Sequence, residues 1–152
     1  MKSVLDLIKL EGDTKEWIYT CKNGIEFKCY IRRVKRSGHL CGYVHLTSDN
    51  DYFGYEYDDI PVNCHGGLTY ASEHEDEWII GFDCAHYGDF QPFYTEQELY
   101  SGRNTVYRDM EYVTKECESI CEQLSTKSKS HYRTIKLNHI LWNTFCKLHS
   151  TY

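Results

Sequence analysis

Apolar residues follow two different spacings along this chain, and each spacing predicts a different kind of element. Residues 16–34 (EWIYTCKNGIEFKCYIRRV) are dense in β-branched and aromatic side chains on both sides of Asn23-Gly24, which predicts two strands joined by a tight type I′ turn. A third strand is expected over residues 41–47 (CGYVHLT), entered through Ser37-Gly38. Its alternation sets Tyr43 and His45 on one side, Val44 and Leu46 on the other. Two more strands, 67–71 (GLTYA) and 77–83 (EWIIGFD), flank the charged tip SEHED, so a hairpin with a loop of about five residues would extend the same sheet antiparallel. The segment SDNDYFGYEYDD has too many turn formers and acids for a regular element, and its aromatics predict an ordered loop.

The period then lengthens. Val106, Met110, Val113, Cys117, Ile120 and Leu124 recur at steps of four and three, which predicts a helix over 105–124 with one apolar face against the sheet. After the polar joint STKSKS, residues Leu137, Ile140, Leu141, Phe145 and Leu148 predict a second, shorter helix over 131–150. The expected fold class is α+β: an antiparallel sheet of about five strands packed against one long helix, with a second shorter C-terminal helix. A chain of 152 residues suits a single domain over 1–152, with 1–124 as the α+β body and 131–150 as a C-terminal helical extension.

Composition narrows the setting. No window approaches the roughly 20 consecutive apolar residues that a membrane span needs, and Asp6, Lys9 and Glu11 break the apolar pattern of the N-terminus too early for a signal peptide. The expectation is a chain neither exported nor embedded, with its eight cysteines as free thiols in a reducing cytosol. No CxxC pair occurs, and Cys117 and Cys121 read as core rather than as metal ligands. Charge is polarised: residues 37–102 contain thirteen Asp and Glu but no Lys or Arg, between the basic run 32–36 (RRVKR) and Arg103 and Arg108. Direct nucleic-acid binding by the middle of the chain is thereby disfavoured.

Two segments combine glycine with residues that seldom tolerate unpaired burial: 64–69 (CHGGLT) and 81–89 (GFDCAHYGD). Gly66, Gly67 and Gly88 allow sharp turns or close approach to a ligand. If the flanking strands are hairpin neighbours, His65 meets Asp83, His86 and Asp89 at one end of the sheet, with Thr69 beside them. Two imidazoles with carboxylates would suit a divalent metal, whereas a hydrogen-bonded histidine–aspartate pair is the plainer alternative. Cys84 near His86 is a conceivable nucleophile and base. Arg108, expected in the first turn of the 105–124 helix, would draw an anion to the helix N-terminus, or would form a salt bridge to Asp83 or Asp89. Tyr43, Tyr70, Tyr87 and Tyr107 are expected to flank the site with stacking faces and hydroxyls suited to a nucleobase or ribose.

The segments GHLCGYV (38–44), HGGLTY (65–70), GFDCAHYGD (81–89) and YRDMEYV (107–113), in this order and spacing, resemble a widespread family of small tailed-phage and prophage proteins. The resemblance covers about residues 20–124 and implies a viral origin and a site rather than a reaction. Such a setting implies a protein of the host cytoplasm that blunts host immunity.

Three functions follow as expectations. The leading one is a non-enzymatic anti-defence protein that captures a nucleotide-like immune signal, without cofactor or turnover, at His65, Gly66, Gly67, Thr69, Asp83, His86, Asp89, Arg108 and the four tyrosines. The second is a metal-dependent hydrolase acting on a nucleotide through His65, Asp83, His86 and Asp89. The third is an acidic mimic of nucleic acid that occupies a host defence protein. Assembly into a homo-oligomer is left open.

Overall fold

The computed structural model describes residues 2–94 and 105–127. Five strands, β1 (Thr14–Thr20), β2 (Glu26–Arg33), β3 (Leu40–Leu46), β4 (Tyr70–His74) and β5 (Glu77–Asp83), form one antiparallel sheet in the order β1-β2-β3-β5-β4. Two helices accompany it, α1 (Val4–Glu11) and α2 (Met110–Thr126). The α+β class and the five-stranded sheet are as the two spacings predict. The helix expected over 131–150 lies outside the described residues.

Both hairpin turns differ from expectation, each for a backbone reason. At Asn23-Gly24 only Gly24 has a positive φ, and the Cys21 N–H donates to the Ile25 carbonyl at 2.8 Å. The loop therefore has three residues, with glycine in the left-handed position, rather than a two-residue type I′ turn. The two-residue turn is Glu75-Asp76, where both residues have positive φ (48° and 64°). β4 accordingly runs to His74 through polar residues that read as loop tip. An edge strand tolerates them because one of its sides faces water.

The sheet buries one face under α2. Met110, Val113, Cys117, Ile120, Cys121 and Leu124 of the helix pack on a core that includes Cys29, Ile31, Val44, Ile80 and Phe82. Each fully buried aliphatic side chain contributes about 1.5–3 kcal/mol of transfer free energy, so packing rather than propensity holds the helix. A Cβ at Gly42 would lie 2.7 Å from the Phe82 ring and 2.8 Å from the Cys117 sulfur, so the bare glycine lets the helix come close. Cys117 and Cys121 are core, as expected.

α2 starts at Met110, five residues later than its apolar spacing suggests. Asp109 caps it by accepting the Tyr112 N–H at 2.8 Å. The residues before it are occupied elsewhere: Val106 bridges to the 88–90 turn, donating to the Gly88 carbonyl at 2.8 Å and accepting from Phe90 at 2.9 Å. Its side chain is exposed, so its place in the helical spacing is coincidental.

At the opposite end of the chain, Ser3 and Asp6 cap α1 reciprocally. The helix is clasped by Arg33, whose side chain turns inward at the end of β2. Its guanidinium donates to the Gly12 and Gly38 carbonyls at 2.8 Å and to the Tyr107 hydroxyl at 2.6 Å, and pairs with Asp13 at 3.0 Å and Glu11 at 3.4 Å. One buried cation thus ties α1, the turn after β2 and the approach to α2.

Candidate functional site

The two glycine-flanked segments do meet. Gly66 and Gly67 both have positive φ (67° and 81°), and the Gly67 N–H closes the turn onto the Cys64 carbonyl at 3.0 Å. This turn directs His65 toward α2, where its backbone N–H donates to Glu116 Oε2 at 2.7 Å and its Nδ1 lies 2.9 Å from the Tyr112 hydroxyl. Its other nitrogen, Nε2, lies 2.7 Å from Asp89 Oδ2. Because an ionised carboxylate only accepts, Nε2 carries the proton and Nδ1 accepts from Tyr112.

Asp89 is the hub. Its carboxylate is 1% exposed and also takes the His86 N–H at 3.0 Å and Arg108 Nε at 3.1 Å. Burial alone would raise its carboxyl, but the hydrogen bonds from His65, the His86 backbone and Arg108 outweigh burial and hold it below the ordinary carboxylate range. The His86 ring fills the hollow over Gly66, where an added Cβ would lie 2.3 Å from it. Among the described residues His86 Nδ1 is buried with no hydrogen-bond partner, 3.7 Å from both Asp83 Oδ1 and Asp89 Oδ2.

Several expected members of the site lie elsewhere. Asp83 stands beside the trio of His65, His86 and Asp89 rather than in it: its oxygens accept the Thr69 hydroxyl at 2.9 Å and the Ala85 N–H at 3.1 Å. Tyr107 serves the Arg33 clasp, and Tyr87 is 83% exposed. Tyr43 and Tyr70 belong to the sheet face away from α2. Arg108 precedes the helix instead of occupying its first turn, and of its two expected roles the salt bridge to Asp89 is the one formed. The α2 N-terminus is already served by Asp109 and by Glu11, which accepts the Met110 N–H at 3.0 Å. Cys84 is 1% exposed and burial raises its thiol, which removes it as a nucleophile.

A second concavity lies on the face of the sheet opposite α2. The strand pairing sets its rows: Arg32 beside Cys41, then Tyr30, Tyr43, Gly81 and Tyr70, then Lys28, His45 and Ile79, then Glu77 beside His74. Of these, Arg32, Tyr30, Tyr43, Tyr70, Lys28, His45, Ile79, Glu77 and His74 line a groove of about 380 Å³. Tyr30 and Tyr43 stack at 6.2 Å between centroids, and Tyr70 meets Tyr43 edge-on at 5.7 Å. A Cβ at Gly81 would lie 2.5 Å from the Tyr43 ring, so the glycine lets that ring lie flat across the floor.

No family model, curated protein or solved structure matches the chain.

Charge in the groove is ordered along the strands. Glu77 accepts from His45 at 2.5 Å, a bond that holds its carboxyl below the usual range, and lies 3.8 Å from Lys28. At the other end Arg32 donates to the Tyr43 hydroxyl at 3.1 Å, with its guanidinium 5.9 Å from that ring. Arg32 pairs with no carboxylate among the described residues. Sequence reasoning singled out Tyr43 and Tyr70 but missed Lys28, Tyr30 and Arg32. Their signal was the alternation of β2, which sets all three on one side. Among the described residues no helix is long and apolar enough to cross a membrane.

Proposed function

We propose that the protein binds a nucleotide-like small molecule in the tyrosine groove and releases it unchanged. In the phage setting that the resemblance implies, such binding would sequester a host immune signal. One observation carries the reading: Arg32, a cation with no carboxylate partner among the described residues, lies beside the stacked Tyr30 and Tyr43 rings. A phosphate suits the guanidinium, a base suits the ring faces, and amino groups on the base suit the Glu77 end. This moves the ligand from the His65 cluster, whose polar atoms are largely engaged with one another, to a groove that shares only Tyr43 and Tyr70 with the expected set.

Calorimetry with a panel of mono-, di- and cyclic nucleotides tests the proposal, followed by mass spectrometry of the recovered ligand. One equivalent is expected to bind and to be recovered intact. Tyr43→Ala should cost about 1–3 kcal/mol of binding, the usual worth of one base–aromatic stack, and Arg32→Ala should cost a similar amount through the lost charge-assisted bonds. Recovery of altered nucleotide, or affinity unchanged in both variants, rejects the reading.

A further inference from the structure

We propose that His65, His86 and Asp89 form a binding site for one divalent cation of the zinc class, separate from the tyrosine groove. One ligand atom from each residue lies within 4.8 Å of the others. Two imidazole nitrogens and a carboxylate oxygen are a donor set that borderline cations favour over magnesium or calcium. The deciding feature is His86 Nδ1. Among the described residues it is buried without a hydrogen-bond partner, and it lies 3.7 Å from Asp89 Oδ2 and equally far from Asp83 Oδ1. A tetrahedral cation with bonds of about 2.0–2.1 Å sets its ligands about 3.4 Å apart, so only a small closing movement is needed on that edge.

The His65 edge must instead open, since Nε2 and Asp89 Oδ2 are 2.7 Å apart around a proton. Binding moves that proton through solvent to Nδ1, which then donates to the Tyr112 oxygen, and frees the Nε2 lone pair for the cation. Tyr112 thereby becomes the outer partner that fixes the ring. The His86 N–H and Arg108 hold the carboxylate in place. Arg108 also withdraws part of its charge, so the site is weaker than a closed structural zinc centre. Gly66 makes the arrangement possible, because any side chain there would displace the His86 ring. Three protein ligands leave a fourth position for water.

The full chain, freed of metal by chelation, is titrated with zinc by calorimetry and with cobalt by visible absorption. Wild type is expected to take up one equivalent of each, with the strong visible bands of tetrahedral cobalt. The clean variant is His86→Ala: among the described residues the lost ring makes no side-chain hydrogen bond, so the metal-free protein should still fold, with a lower melting temperature from the emptied hollow over Gly66, while metal affinity falls at least about 100-fold. Tyr112→Phe should lower affinity about 10–100-fold, the usual effect of an outer partner. Absence of uptake by wild type, equal affinity in wild type and His86→Ala, or sulfur-to-cobalt charge-transfer bands would each overturn the site. Nucleotide binding in the groove is read separately and should survive His86→Ala, so the two proposals fail independently.

Discussion

At Gly66 the absence of a side chain serves two ends at once, a φ of 67° and a place for the His86 ring. Gly67, at φ 81°, has nothing within 4 Å of the position a Cβ would take. Alanine at either position carries the left-handed cost of about 1–2 kcal/mol, but only Gly66→Ala must also expel an imidazole. Thermal unfolding should therefore rank Gly66→Ala clearly below Gly67→Ala, and equal melting temperatures would mean that the ring leaves freely. Asp89 adds a pH dependence. Its folded pKa lies below the unfolded value of about 3.9, so its contribution is complete above that value and is lost as pH falls through the folded one. Urea midpoints measured between about pH 2 and 6 should decline more steeply in wild type than in Asp89→Asn. The meeting of His65 with Asp89 was legible because glycines mark both turns at neighbouring strand ends. The misplacement of Tyr43 was legible too: alternation opposes it to Val44, and Val44 is fully buried beneath α2.

Among the elements, α1 was hidden because eight residues with one buried side chain give no usable stripe. Its anchor was hidden by sign. The run RRVKR reads as a basic surface, yet the inward positions of β2 are Phe27, Cys29, Ile31 and Arg33, so the same alternation that buries the first three buries the last. Substituting Arg33→Met should destabilise the protein by about 3–5 kcal/mol, since it leaves Glu11, at 8% side-chain exposure, in the interior without its cation. Chemical denaturation reads this directly, and a loss under 1 kcal/mol would show that α1 detaches without consequence. The β4–β5 turn escaped notice because Glu75-Asp76 lacks the glycine that normally advertises positive φ at both positions.

Across the whole molecule, the two spacings sufficed for the sheet and for the helix on it, because each reports burial on one side of an element. They could not say which end or face gathers the chemistry. That depends on register, which brings Arg32, Tyr43 and Glu77 from three strands into one groove. The described cysteines carry a further consequence of the same layering. Six of the seven are buried, and they are spread over β2, β3, the β1–β2 and post-β5 loops, and α2. Any breathing that parts helix from sheet uncovers sulfur on both surfaces at once. In oxidising surroundings each such excursion would be trapped by a crosslink the native packing does not contain, so a reversible fluctuation would become a ratchet toward loss of the fold.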